Sequence, residues 1–366
     1  MKKAICLLFA IGSLTTVFSQ STEYTVTGIV IDKTNKAPMQ AASVFAQNTT
    51  FGTATGADGK FILRLPNGGY DLVVTFTGYE TESIRITTAD AANNNIVIEL
   101  KQKDKTLEAV AVVGSNEVKD GWQQYGNFFL ENFIGKTTFS SNCTLKNPEV
   151  LKFYFSKRKN RLKVLASEPL LIENNSLGYR IKYVLDSFTY EYSTEINTYT
   201  GNPLFEEITP VGNNQQATWA ANRLKAYKGS MLHFMRSVYS KQLKEEGFEI
   251  QFLVKEADKE QAVELKNYYG AINYKKDDST QTVEIMPNQL NLGVLYTKEK
   301  PEQTYLTQAD TNEPKAFQFS FLSFTPGNSL VIEQNGYFFE QNDIAINGYW
   351  TWEKVADMLP YDYKIQ

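Results

Sequence analysis

The sequence predicts a mainly β protein: an antiparallel β-sandwich over residues 21–101, followed by an α+β region over residues 121–366. Three observations carry this. Short runs of alternating apolar and polar residues recur between residues 24 and 100 at about the 8–12-residue spacing of a sandwich, with Gly, Asn and Pro between them. Aromatic residues reach 13%, with 21 Tyr and 23 Phe, the side chains that pack well on a pleated surface. Two helices are read after Thr218, the second with apolar residues at helical spacing.

The elements follow in order. Tyr24–Ile31 alternates, with Tyr24, Val26 and Val30 on one face and Thr25, Thr27, Ile29 and Ile31 on the other. Ser43–Gln47 is a second strand. Phe61, Leu63 and Leu65 form a period-2 set, as do Tyr70, Leu72, Val74 and Phe76, then Ile84 with Ile86, then Ile96, Ile98 and Leu100. Asp58-Gly59 and Asn67-Gly68-Gly69 supply the positive-φ positions of tight turns. In the second half, Val150–Phe155, Arg161–Ala166, Tyr179–Leu185 and Glu249–Lys255 read as strands. A helix is expected over Ser230–Glu246, with Met231, Phe234, Met235 and Val238 on one face and Gly247 as its stop. A last helix is expected over Trp350–Leu359, ended by Pro360.

The first domain carries a family resemblance. The segments TGIVIDKTNKAPMQAASVFAQ, FGTATGADGKFILRLPNGGYDLVVTFTGYETESIRI and NNIVIEL resemble the carboxypeptidase regulatory-like domain, an Ig-like/transthyretin-like sandwich. The matching positions are Gly28, Val30, Asp32, Pro38, Ala42, Val44, Gly52, Thr55, Asp58, Gly59, Phe61, Leu63, Pro66, Gly69, Tyr70, Leu72, Gly78 and Tyr79. The resemblance implies an accessory module without catalytic machinery, since fold alone does not set function. Residues 102–120 read as a linker or a docking strand. Leu107 to Gly114 resembles the run that follows this sandwich in TonB-dependent receptors, so Leu107, Val110, Val112 and Val113 are candidate docking residues; an ordinary last strand is the alternative. The charged Lys101–Lys105 run implies a junction that permits relative motion. The second half resembles an uncharacterised region downstream of the same sandwich in envelope proteins, through NPEVLKFYF, PLLIENNSLGYRIKY, YKGSMLHFMRS and GYWTWEKVADMLPYDY.

Residues 1–20 have the layout of a signal peptide: Lys2-Lys3, an apolar run from Ala4 to Ile11, then Gln20-Ser21-Thr22. The run is shorter than the ~20 residues of a spanning helix, and no transmembrane helix is expected after cleavage. Export to the periplasm, the outer membrane or the exterior follows. Removal of the leader takes Cys6 with it and leaves Cys143 as the thiol of the mature chain, so no internal disulfide is expected. The net charge of −4 and pI near 5.4 give no pull toward nucleic acid, and a mean hydropathy of −0.35 describes a soluble chain.

Catalytic, metal and cofactor residues are all expected to be none. A catalytic zinc takes three protein ligands, and this chain has one histidine, His233, with Arg236 three residues on. His233 is read as structural and Cys143 as an incidental thiol. Gly56-Ala57-Asp58-Gly59 lacks the acidic alternation of a calcium loop. Lys157, Arg158, Lys159 and Arg161 form a basic run between two expected strands, read either as a solvated turn or as a patch for an anionic partner such as lipopolysaccharide or acidic glycan. Tyr349-Trp350-Thr351-Trp352 is read as core or as a sugar platform.

The function expected is that of an exported envelope protein with a non-catalytic interaction or scaffolding module, its partner an envelope protein or a glycan. The rival is a hydrolase with an unrecognised site in the second half. N-terminal sequencing of the envelope-fraction protein is expected to start near Gln20 or Ser21; an intact Met1 there removes the export reading.

Overall fold

A computed structural model describes residues 23–88, 95–103, 116–256, 259–308, 314–339 and 344–365. The molecule is mainly β, with an N-terminal sandwich and a C-terminal α+β region. The sandwich is built from β1 (Glu23–Asp32), β2 (Ser43–Ala46), β3 (Gly52–Ala54), β4 (Lys60–Pro66), β5 (Gly69–Thr75), β6 (Glu82–Thr87) and β7 (Ile96–Leu100). One sheet runs β4-β1-β7, the other β3-β2-β5-β6. Val26 and Val30 of β1 face inward against Phe61, Leu63 and Leu65 of β4, as their alternation requires. One pair departs from the antiparallel expectation. β7 arrives from the opposite sheet and joins the open edge of β1 in parallel, Gly28 opposite Ile96.

Several residues of the family pattern have physical jobs. The Asp32 carboxylate accepts bonds from the Tyr79 hydroxyl at 2.7 Å and from the backbone N–H of Thr34 and Asn35. The Tyr79 bond, then the backbone bonds, hold that carboxyl below its usual range. Thr55 Oγ1 donates to Met39 O and accepts from Ala42 N, fixing the chain ahead of β2.

The remainder holds two further cores. The first lies under a six-stranded sheet, β8 (Cys143–Leu145), β11 (Leu170–Asn174), β12 (Tyr179–Glu191), β10 (Arg161–Ala166) and β9 (Leu151–Ser156), with β13 (Ile196–Glu207) paired along β12. Helix α1 (Gly121–Phe133) drives Phe129 and Phe133 into it beside Phe153 and Phe188. Helix α2 (Asn213–Tyr227) adds Ala226 and Tyr227. The second core joins a five-stranded sheet, β14 (Phe248–Glu256), β15 (Lys259–Glu264), β18 (Asn291–Tyr296), β19 (Gln318–Phe324) and β21 (Ile344–Gly348), to a three-stranded one, β16 (Lys275–Asp277), β17 (Thr282–Ile285) and β20 (Leu330–Glu333).

Two expected helices are corrected. The Ser230–Glu246 helix is two: α3 (Met231–Tyr239) and a single turn, α4 (Leu243–Glu246), with Lys241 at φ 56° between them and Gly247 at φ 93° as the stop. Ser230 caps α3 by accepting from His233 N. The Trp350–Leu359 helix is absent; two short 3₁₀ turns, Tyr349–Thr351 and Val355–Asp357, stand there. Trp350 turns into the second core and Val355 into the first, so tertiary burial overrides the helical pattern.

Away from the linker, the sandwich makes direct contacts with the rest of the chain. Thr49, fully buried in the turn after β2, bridges to Leu204, and Phe205 N donates to Thr49 O at 2.9 Å. Asn48 donates to Pro203 O and accepts from Tyr361 N, and Thr50 donates twice to Asp362. Arg85 of β6 pairs with Glu333 of β20 at 2.6 Å and with Asp71 of β5 at 3.3 Å, beneath the rings of Tyr337 and Phe339. Tyr337 donates to Asp71 Oδ2. A Cβ on Gly69 would stand 2.2 Å from Arg85 Nη2 and 2.4 Å from Glu333 Oε1, so the lock closes only over glycine.

Arg85→Ala leaves Glu333 buried without its cation. It is expected to cost about 2–3 kcal/mol, discounted from the cost of breaking a fully buried pair because Arg85 is a quarter exposed. Thermal melting checks this, with Glu333→Gln added to Arg85→Ala expected to recover part of the loss.

Candidate interdomain cleft

Where the sandwich meets the rest of the chain, a cleft of about 1380 Å³ opens, larger than the roughly 300–1,000 Å³ usual for small-molecule pockets. Its sandwich wall comes from the turn after β2 (Thr50, Phe51) and the β4–β5 turn (Asn67 to Tyr70). Its other walls come from the start of β12 and end of β13 (Tyr179, Glu207), from α2 and α3 (Arg223, Arg236), and from the segments 277–282, 331–339 and 360–365. Aromatic rings alternate there with amides and hydroxyls, among them Tyr361, Phe339, Gln281 and Asn335.

The carboxylates and guanidinium groups of the lining are engaged. Glu207 pairs with Arg223 Nη1 at 2.9 Å, and the same guanidinium donates to Leu177 O and Gly178 O over the Tyr179 ring. Glu333 pairs with Arg85, and Asp362 accepts from Thr50. Asp277 accepts from Ser279 N at 2.8 Å and from the Ser279 hydroxyl, which hold its carboxyl below the usual range. Burial pushes Glu333 up while Arg85 opposes it. Arg236 donates to Asn335 O and Tyr361 O.

The residues singled out from sequence lie elsewhere. Leu107, Val110, Val112 and Val113 fall outside the described residues. Lys157, Arg158 and Lys159 are exposed on the β9–β10 turn, and Arg161 pairs with Glu191 of β12. His233 is buried among Tyr227, Phe248 and Tyr296; its Nδ1 accepts from Gly229 N, so Nε2 donates to Glu246, and burial lowers its pKa. It is a neutral core histidine. Burial pushes the Cys143 thiol up to about 12, which removes it as a thiolate nucleophile. Asp58-Gly59 is a hairpin turn, with Gly59 at φ 75°. The sugar-platform reading of Tyr349–Trp352 is corrected: Tyr349 and Trp350 are buried, and Trp350 Nε1 donates to Gly229 O at 2.7 Å.

A group missed by the sequence surrounds the second 3₁₀ turn. Asp357 accepts from Thr137 Oγ1 and Lys354 N, and Glu302 accepts from Trp352 Nε1 and pairs with Thr138. Burial raises Asp357 to about 7 and Glu353 well above its ordinary value. No lining residue of the cleft belongs to it, and among the described residues no cluster of His, Cys, Asp and Glu is arranged to hold a metal ion.

Residues 26–112 match the family model of the CarboxypepD_reg-like domain. Over 119 residues the chain is 34% identical to the TonB-dependent receptor SusC of Bacteroides thetaiotaomicron, a stretch covering 32% of this chain and 11% of that one. It is 29% identical over 113 residues to a TonB-dependent receptor of Formosa agariphila, covering 31% of this chain and 10% of the receptor. The chain thus spans about a tenth of the length of these relatives. Among solved structures, DUF3823 family proteins of Parabacteroides merdae and Bacteroides ovatus align over 54% and 51% of this chain and 85% and 82% of theirs, at 9% and 15% identity. Their TM-scores, 0.18 and 0.17, carry no argument.

The Asp357 carboxyl sets a pH dependence. Its folded pKa lies above the ordinary 3.8, so between about 4 and 7 the folded state holds a proton that the unfolded state has released. Stability is therefore expected to fall as pH rises through that window. Asp357→Asn is expected to flatten the slope in melting curves taken from pH 4 to 7.

Proposed function

We propose that this chain is an exported envelope protein that binds its ligand without transforming it, the sandwich serving as one wall of the binding cleft. The match of residues 26–112 to a regulatory-like domain, and the likeness of that stretch to the N-terminal part of TonB-dependent receptors, support the envelope assignment. One observation carries the binding reading. The four carboxylates lining the cleft, Glu207, Asp277, Glu333 and Asp362, are each held by a partner within the protein. A glycosidase keeps one carboxyl protonated as its acid; here Glu333, which burial raises, is tied to Arg85, and Ser279 holds Asp277 in its ionised form. The His233 and Cys143 side chains stand outside the lining, which disfavours a nucleophile–base pair in the cleft as well.

The ligand class that suits the lining is a neutral oligosaccharide. Rings such as Tyr361 and Phe339 offer apolar faces, and Gln281, Asn335 and the threonines offer hydroxyl-matched donors and acceptors. An outer-membrane protein partner is the second occupant the envelope assignment allows.

Titration calorimetry with maltohexaose, cellohexaose and a uronic-acid hexamer separates the readings. A neutral hexamer is expected to bind saturably and to be recovered at unchanged mass. Tyr361→Ala is expected to weaken it by roughly two- to tenfold, the worth of one aromatic contact. Shortened sugars would establish the hydrolase, and no saturable binding by either neutral hexamer would remove the glycan ligand.

A further inference from the structure

The long hairpin of β12 and β13 begins at the cleft, where Tyr179 stands opposite Glu207, and ends at Glu191 opposite Ile196. Its 13-residue strand puts the far turn roughly 40 Å from the cleft at about 3.3 Å per residue. The β9–β10 turn meets that far end: Tyr192 N donates to Asn160 O, and Arg161 pairs with Glu191. Two adjacent turns thus form one tip.

The tip has an unusual make-up for a chain of net charge −4. Lys157, Arg158 and Lys159 are consecutive, exposed, and in no ion pair among the described residues. Arg161 neutralises Glu191, leaving Glu195 as the opposing carboxylate. Ile196 beside them is 56% exposed. Directly behind lies a half-buried aromatic layer: Tyr192 contacts Tyr190 at 4.8 Å, Phe128 at 5.7 Å and Phe155 at 5.9 Å between ring centroids. Exposed cations and an exposed aliphatic side chain on one tip pair charges that can meet phosphates with an apolar group that can enter the headgroup layer.

We propose that this tip docks the protein on an anionic lipid surface, with Lys157, Arg158 and Lys159 on lipid phosphates and Ile196 in the headgroup layer. Docked so, the hairpin holds the cleft roughly 40 Å off the surface. An acidic polysaccharide would meet the same cations, but a polymer is best held along a groove. Neither the interdomain cleft nor the smaller cavity beside β14 includes a tip residue, and a polysaccharide gives Ile196 no apolar layer to enter.

Cosedimentation of the mature chain with vesicles tests this. Vesicles of phosphatidylglycerol mixed with phosphatidylcholine are expected to retain the protein, less so as salt screens the charges, and phosphatidylcholine alone is not. The triple variant Lys157→Glu, Arg158→Glu, Lys159→Glu is expected to bind roughly a hundredfold more weakly, and Ile196→Ser several-fold more weakly, both with unchanged melting. Oligosaccharide titration without vesicles reads the cleft alone, so it stands or falls separately. Equal retention by both vesicle types, a triple variant that binds like the parent, or capture by dextran sulfate but not by vesicles would overturn the proposal.

Discussion

A guanidinium drawn into a protein seam needs anions on more than one side, and Arg85 finds Asp71 on the neighbouring strand of its own sheet and Glu333 across the seam. Glu333 is the more constrained partner, nearly buried and unable to keep its charge cheaply without that cation. The pair therefore obliges the sandwich and the three-stranded sheet to meet at one distance. The turn after β2 and the tail at Tyr361 and Asp362 then close around the meeting point. The cleft is the space these contacts leave, and its walls are as fixed as they are.

The sandwich was legible because its signals are local. A period of two, Asp-Gly at one turn and Asn-Gly-Gly at another identify strands without knowledge of the rest of the chain, and the expected runs match β1, β2, β4, β5, β6 and β7 to within a residue or two. The structural place of His233 was legible for a similar reason: it sits on the apolar face of α3.

What the sequence concealed depends on long-range packing. Trp350 to Leu359 has helical spacing, yet its apolar residues divide between two cores, which no single helix face could serve. The cleft draws Thr50, Asn67, Tyr179, Arg236, Gln281 and Tyr361 from segments scattered over three hundred residues of chain, and the motifs that contain some of them carry no sign that they meet. Arg85 and Glu333, 248 residues apart, look in sequence like any surface charges. The linker's composition said nothing of the contacts between the sandwich and the rest, because those lie in other segments.

Cys143 has a practical meaning for anyone who would watch this molecule at work. Its thiol is held protonated far above neutrality by burial beside the Asp357 carboxylate, and the other cysteine, Cys6, falls in the segment expected to be removed as a leader. The mature chain is thus nearly silent toward maleimides and other thiol reagents at neutral pH. A cysteine introduced at an exposed position would carry a fluorophore or spin label almost alone. Distances and solvent accessibility could then be followed on the native background, without first rebuilding the core around a missing sulfur.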